Sequence, residues 1–443
     1  MHPSSPLKAV RGTRDLLPPE TALWNRIEQT ARNVFARYGF GEIRTPIFEA
    51  TELFARGVGE ETDIVSKEMY TWEDRARAQS EKAQSLTLRP ENTAGVVRAY
   101  IEHKLGETGQ LQKLFYIGPQ FRRERPQRGR YRQFWQIGVE VLGPPSSGSE
   151  SPVRDAEVLE MLATLLDELG VRNWQLQLNS VGSSEDRKRY NSVLREALAG
   201  VKDRMCPDNQ RRAETNPLRV LDSKEPADQE IIATLPKIAD YLGDDSRAHF
   251  SAVLAALDAC GVPYTVNPRL VRGLDYYSRT TFEFTVPSSA NPSTGLGTQN
   301  ALLGGGRYDG LSEMLGGPKA PGIGFAIGED RLVLTLQAQA EIDASAGTAA
   351  LKLDTYIAPM GAERNAAALA LARELRRAGL SVEVGDGTFR LKKSFEAADR
   401  VARHIVILGE DEVATNTATV KTFATGEQVK AARADLMELL RRS

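Results

Sequence analysis

Leu23, Ile27, Ala31 and Val34 recur at helical spacing behind Pro18 and Pro19, and predict a first helix over Pro19–Arg37 that Gly39 ends. Glu42–Phe48 then reads as a strand interrupted by Pro46, which suits a sheet edge or an interface because proline cannot donate to a ladder. Trp72–Gln84 is polar and reads as a hairpin tip, Leu86–Arg89 as a short strand, and Pro90–Lys104 as a helix with proline near its start. Beyond the hairpin Phe115–Leu142, the segment Pro144–Pro152 is a surface loop by composition. Asp155–Leu169 is an amphipathic helix and Trp174–Asn179 a strand. From Ser183 to about Leu257 the pattern is mostly helical with charged faces, and predicts an inserted helical subdomain. Strands return at Tyr264–Val266 and Thr280–Val286, where Phe282, Phe284 and Val286 alternate with Thr281, Glu283 and Thr285.

Glu341–Leu351 is small and polar enough to be a linker. Strands at Thr355–Ala358, Ser381–Val384 and His404–Leu408 then alternate with helices at Ala362–Ala378 and Phe395–Arg400. A helix over Gln428–Arg442 would close this small α/β domain of about 90 residues.

Strand alternation divides the hairpin into two faces. Trp135, Ile137, Val139 and Val141 share one face of the second strand, and Gln136, Gly138 and Glu140 share the other. On the first strand, Phe115, Ile117 and Phe121 oppose Tyr116, Gln120, Arg122 and Glu124. Between the strands lie Arg122, Arg123, Arg125, Arg128, Arg130 and Arg132. Guanidinium forks suit phosphate oxygens, so these arginines read either as a solvated basic tip or as a phosphate site. Gln136 and Glu140 on the polar face favour the site.

Composition narrows the class. The 443 residues suggest about three domains by the usual length prior, and charged (26%) and hydrophobic (41%) fractions are those of a water-soluble globular chain. A formal net charge of −2 means that any polyanionic partner must be met by local basic patches. Two cysteines, Cys206 and Cys260, make no disulfide framework, and the first residues carry no apolar signal region; both point to the cytoplasm. There is no Gly-Lys-Ser/Thr, which excludes a P-loop, and GLGTQN (295–300) lacks the third glycine of a dinucleotide fingerprint.

Three more segments carry candidate chemistry. RGLDYYSRTTFEF (272–284) sets an arginine, an aspartate and two tyrosines before a strand. GGGRYDG (304–310) reads as a plain turn or as a close backbone approach that glycine permits. GIGFAIGEDRL (322–332) is a small-residue strand leading into a helix that carries Arg331.

Together these segments resemble the histidyl-tRNA synthetases, a family of class II aminoacyl-tRNA synthetases. TPIFE with Pro46 looks like the class motif of the dimer interface, the Arg122 hairpin like the second motif, and GIGFAIGEDRL with Arg331 like the third. LRPENTA (88–94), RGLDYYSRT and GGGRYDGL are similar to the histidine-specific signatures, and the resemblance covers nearly the whole chain. It implies an α+β catalytic domain over residues 1–340 with a mixed, mainly antiparallel sheet, the class II synthetase fold. It further implies a helical insertion at about 183–257, a linker at 341–352 and an α/β anticodon-binding domain at 353–443.

The implied activity is that of a ligase: histidine attacks the ATP α-phosphate to give histidyl-adenylate, and the histidyl group passes to the 3′ end of histidine tRNA. By the motif match Arg122 would hold the α-phosphate, Arg331 the γ-phosphate, and Arg272 would bridge the histidine carboxylate and the α-phosphate. Arg130 and Glu124 would also meet ATP, with Mg²⁺ accompanying the nucleotide. Glu91, Thr93 and Gln136 would hold the amino-acid backbone, and Glu140 and Tyr277, with Tyr276 beside them, would read the imidazole. The implied partners are L-histidine, ATP, histidine tRNA and a second copy of the chain, with no membrane.

Two positions depart from the family pattern. Asn209 stands where some relatives place the second cysteine of a Cys-x-x-Cys, and a lone Cys206 implies no structural zinc. Asn92 stands where many bacterial members have glycine. Two rivals share the resemblance. A non-enzymatic paralogue serves as regulatory subunit of a histidine-biosynthetic transferase, but typically lacks the anticodon module and erodes the arginines retained here. Another class II synthetase of the same subgroup would lack RGLDYY with GGGRYDG.

Overall fold

The computed structural model describes residues 7–59, 62, 64–74, 83–223, 225–271, 276–287, 301–343 and 352–441. Arg272, GLGTQN, most of the expected hairpin tip and most of the expected linker lie outside the described residues. Contacts divide the chain into two compact units, one ending at Asp343 and one beyond it.

The first unit begins with α1 (Glu20–Arg37), β1 (Gly41–Glu42), β2 (Phe48–Ala50), α2 (Thr51–Val58), β3 (Tyr70–Asp74), β4 (Gln84–Leu88) and α3 (Thr93–Glu102). The hairpin β5 (Gln112–Phe121) and β6 (Gln133–Leu142) follows, then α4 (Pro152–Leu169) and β7 (Gln175–Ser180). A helical stretch comprises α5 (Ser184–Ala199), α6 (Pro207–Thr215), α7 (Gln229–Thr234) and α8 (Asp244–Cys260). The unit ends with β8 (Tyr264–Val266), β9 (Ser278–Thr285), β10 (Ala301–Arg307), α9 (Leu311–Met314), β11 (Gly322–Gly328) and α10 (Glu329–Asp343).

Eight strands form one sheet in the order β1-β5-β6-β11-β10-β9-β7-β8. Only β1 with β5 and β7 with β8 pair parallel, so the sheet is mixed and mainly antiparallel. One face packs on helices. Phe115, Ile137, Val139, Phe282, Phe284, Ile323, Phe325 and Ile327 meet Trp24, Ile27 and Phe35 of α1, Leu159, Leu162 and Leu166 of α4, and Val253 and Leu257 of α8 in a single core. Burying such side chains stabilises the layer by about 1.5–3 kcal/mol each. α1 buries Trp24, Ile27, Ala31, Val34 and Phe35, one helical stripe. The Ser151 hydroxyl caps α4 at its N-terminus, and Gly170, at φ +79°, ends it.

Expected and observed elements differ most at three places. Glu42–Phe48 is not one strand: β1 joins the large sheet, Pro46 breaks the ladder, and β2 belongs to a separate sheet of order β2-β4-β3. Gly304–Arg307 lies within β10 rather than in a turn. The third difference is in the second unit.

The helical stretch closes over a core of its own, with Tyr190, Leu194 and Leu198 of α5, Ala213 of α6 and Ile231 and Ile232 of α7. A Ser183–Asp186 capping box starts α5. Asn209 donates to Asp228 and to Ser223, each at 2.6 Å, and the Asp228 carboxylate accepts from the Cys206 backbone. α8 instead contributes to the sheet core.

The second unit contains β12 (Leu353–Pro359), α11 (Asn365–Arg377), β13 (Val382–Val384), α12 (Leu391–Val401), β14 (Ala402–Leu408), α13 (Glu410–Ala414), β15 (Thr417–Thr422), β16 (Gln428–Ala432) and α14 (Leu436–Arg441). Its sheet runs β13-β12-β14-β15-β16, with the first three strands parallel and the last two antiparallel. The helix expected over Gln428–Arg442 therefore shortens to α14. Gly426, at φ +74°, turns the chain back, and pairing with β15 overrides the helix propensity of Lys430, Ala431 and Ala432.

Candidate active site

A cavity of about 540 Å³ opens on the sheet face that carries no helices of the core. Glu91, Thr93, Arg122, Glu124, Arg130, Gln136, Tyr276, Tyr277 and Arg331 all line it. Residues predicted from four separate stretches of sequence thus meet in one place. Arg272 lies outside the described residues, although Val271 and Tyr276 on either side of that segment both reach the wall.

The floor is made by small residues on adjacent strands. A Cβ on Gly324 of β11 would sit 1.9 Å from Glu140 Oε2 and 2.5 Å from the Val139 carbonyl; on Gly306 of β10 it would sit 2.8 Å from the Tyr277 ring. Neither contact is sterically possible, so glycine here makes room for a neighbour's functional side chain.

Glu140 itself is fully buried just behind the wall. Thr93 donates to its Oε1 at 2.7 Å and Tyr308 to its Oε2 at 2.6 Å. Burial, opposed by those two hydrogen bonds and reinforced by the charge of Glu91, pushes the Glu140 carboxyl up to about 8. Glu91 accepts from the backbone N–H groups of Thr93 and Ala94 at 2.8 and 3.0 Å, capping α3. Burial raises its pKa, against the pull of those amides and of Arg122. Gln136 Oε1 is buried and has no hydrogen-bond partner among the described residues, which marks it as an acceptor held for a ligand donor.

The arginines lie on the same wall. Arg122 donates Nε to the Pro90 carbonyl at 2.9 Å and stacks 5.2 Å from the Phe134 ring centre. Arg130 meets Glu124 at 3.2 Å, and Arg331 donates to the Ala301 carbonyl at 2.7 Å. Burial, and then the like charge of Arg130, pull the Arg331 pKa down, a cost that an arriving anion would relieve. Asn92 turns away: its carbonyl oxygen accepts from Thr45 at 2.7 Å.

Other wall residues carry weaker signals in the sequence. Tyr116 lies on the polar face of β5 and Phe134 shares the parity of Gln136, so alternation alone points both at the cavity. Tyr308 sits inside GGGRYDG, where a turn would give it no role, and instead donates to Glu140. Arg219 and Asp222 arrive from the helical stretch, where no motif announces them.

The family model described as histidyl-tRNA synthetase matches residues 12–332, and the anticodon binding domain model matches residues 354–443. The histidine–tRNA ligase of Koribacter versatilis (strain Ellin345) is 69% identical over 436 residues, spanning 98% of this chain and 96% of that protein. That of Solibacter usitatus (strain Ellin6076) is 54% identical over 432 residues, spanning 97% and 98%. Among solved structures, the apo histidyl-tRNA synthetase of S. aureus is similar with a TM-score of 0.78 and 37% identity, covering 98% of this chain and 100% of that one. With the synthetase model matched across most of its length and relatives this similar end to end, the chain belongs to the histidyl-tRNA synthetase family.

Proposed function

We propose that the cavity performs the histidine–tRNA ligase reaction: ATP-dependent activation of L-histidine to histidyl-adenylate, then transfer of the histidyl group to the 3′ end of histidine tRNA. The observation that carries this reading is the convergence of Glu91, Glu140 and Gln136 with Arg122, Arg130 and Arg331 around one cavity. It offers recognition groups for an amino acid beside cations for a polyphosphate.

In this reading a histidine carboxylate oxygen attacks the α-phosphorus and pyrophosphate leaves. Negative charge crowds together in that step, so preorganised cations dominate the rate. Arg122, with its fork fixed by Pro90 and Phe134, holds the α-phosphate; Arg331 holds the γ-phosphate; Arg130, steadied by Glu124, assists. Arg272 bridges the carboxylate and the α-phosphate. The ammonium pairs with Glu91, and Gln136 Oε1 accepts a donor from the amino-acid backbone. Glu140, with Tyr277 and Tyr276, reads the imidazole, since Thr93 and Tyr308 occupy only two of the roughly four acceptor positions of a carboxylate. A site built for hydrogen bonds rejects analogues that cannot make them.

Mg²⁺ enters with the nucleotide as part of the substrate. Glu124 and Glu283, the carboxylates whose charge acts on Arg331, are hard oxygen donors of the kind it takes. The second unit takes the anticodon region of the tRNA. A homodimer forms through the small sheet, where Ile47, Phe48 and Trp72 are exposed and the rings of Phe48 and Trp72 lie 6.2 Å apart. No helix among the described residues is long and apolar enough to cross a membrane, in keeping with a cytoplasmic setting.

ATP–pyrophosphate exchange measured with each of the twenty amino acids tests the proposal. Exchange with histidine alone is expected. Histidine binding without exchange would support a sensor, and exchange driven by another amino acid would end the specificity assignment.

A further inference from the structure

Five side chains close into a ring. Arg307, at the end of β10, is fully buried and donates to Asp155 of α4 through Nη2 at 2.5 Å and Nε at 3.1 Å. The other oxygen of Asp155 lies 2.8 Å from His249 Nε2 of α8. His249 Nδ1 lies 3.2 Å from Arg279 Nη1 of β9. Arg279 Nε is 3.8 Å from Asp309 Oδ2, and Asp309 Oδ1 accepts from Arg307 Nη1 at 2.9 Å. A guanidinium can only donate, so His249 Nδ1 is an acceptor and the ring proton sits on Nε2, aimed at Asp155. Burial alone would push the Asp155 carboxyl up; Arg307 and the His249 hydrogen bond outweigh it and hold the carboxyl at about 2. The ring therefore sets two guanidiniums against two carboxylates, with the His249 imidazole bridging Asp155 and Arg279.

Its location gives it a task. Arg279 follows Tyr277 by two residues, while Arg307 and Asp309 flank Tyr308, so the ring joins the two segments that bring tyrosines to the cavity. Both segments are irregular where they meet. Arg279 has a φ of +48°, in the left-handed region that non-glycine residues rarely enter. The pairing of β9 with β10 slips between Gly306 and Arg307. The Asp309 backbone N–H donates to Ser278 Oγ at 3.1 Å across the same junction. Asp155 and His249 do not line the cavity; they reach the junction from helices packed on the other face of the sheet. Irregular backbone persists only where surrounding contacts over-determine it, and these two residues supply such contacts.

We infer that Asp155 and His249 are positioning residues for amino-acid recognition: by fixing Arg279 and Arg307 they set the placement of Tyr277 and Tyr308, and through Tyr308 the orientation of Glu140. The inference rests on the proposed histidine-ligase reading. Disturbing the ring weakens histidine binding selectively and leaves the nucleotide side of the cavity as it was.

The test is ATP–pyrophosphate exchange with His249→Leu, His249→Gln and Asp309→Asn, each checked for folding by thermal melting. His249→Leu removes both hydrogen bonds at similar volume; the KM for histidine is expected to rise about tenfold, as for a misplaced recognition group, with the KM for ATP nearly unchanged. His249→Gln, whose amide can face Asp155, should recover most of that loss. Asp309→Asn, at the exposed side of the ring, should raise the histidine KM in the same direction and serves where His249→Leu fails to fold. Wild-type histidine KM in the folded variants, or parallel rises in both KM values, would overturn the inference. Absence of histidine-dependent exchange in the wild-type protein would instead overturn the ligase reading.

Discussion

Thr93 donates its hydroxyl to Glu140 across 2.7 Å, tying the start of α3 to β6. Because Glu91 caps the same helix end, one short turn holds both carboxylates assigned to the amino acid. Thr93→Val removes the donor at constant volume and leaves a buried carboxylate short of a partner. Such a loss costs about 1–3 kcal/mol. The KM for histidine in pyrophosphate exchange should rise about 10–100-fold, with the KM for ATP moving far less. Equal changes in both would place Thr93 outside amino-acid recognition.

Arg122→Lys keeps the charge but loses the planar fork that stacks on Phe134 and bonds Pro90. Single-turnover adenylate formation should slow by about 10²–10³, the usual effect of removing one preorganised donor. A rate within a few-fold of wild type would show that the α-phosphate is held elsewhere.

Gly324→Ala places a methyl against Glu140 and the Val139 backbone. Overpacking of this kind costs about 1–3 kcal/mol. The melting temperature should fall, and the variant should lose most histidine affinity in titration calorimetry because the carboxylate is displaced. Unchanged affinity would mean that Glu140 does not need its observed position.

Glu329, at the start of α10, is buried with neither carboxylate oxygen hydrogen-bonded among the described residues. Burial, then the charges of Glu28 and Asp330, raise its carboxyl from 4.5 to about 9. The folded state thus keeps a proton that the unfolded chain releases above about 4.5. This stabilisation is complete below that pH and is lost as pH rises toward 9, by about 1.4 kcal/mol per unit. Glu329→Gln should be the more stable protein at pH 8 by a few kcal/mol at most, with the advantage vanishing near pH 4. Denaturant melts at the two pH values decide it; a pH-independent difference would contradict the assignment.

What the sequence disclosed follows from the range over which each signal acts. The period-two alternation of Phe115–Leu142 is local, so the core face with Ile137 and Val139 and the opposite polar face with Gln136 and Glu140 could be read directly. The glycines of β10 could not be placed that way, because their need arises from Tyr277 and from the neighbouring strands rather than from their own turn propensity. Gln428–Ala432 has helix-forming residues, and only its register against Thr417–Lys421 makes it a strand. Asp155 is 152 residues from Arg307 and 94 from His249, so no motif window contains the ring they form.

The bare floor has a consequence for anyone seeking to redesign the amino-acid preference. A side chain at Gly324 would displace Glu140, and one at Gly306 would press on the Tyr277 ring, so neither position can be enlarged without moving those groups. Shrinking is impossible too, since glycine is the limit. Tyr308, Tyr277 and Gln136, which line the cavity, are the side chains whose variation would reshape it without disturbing those two glycines. A selection library built on those three positions, with the glycines fixed, is the compact search space this architecture leaves open.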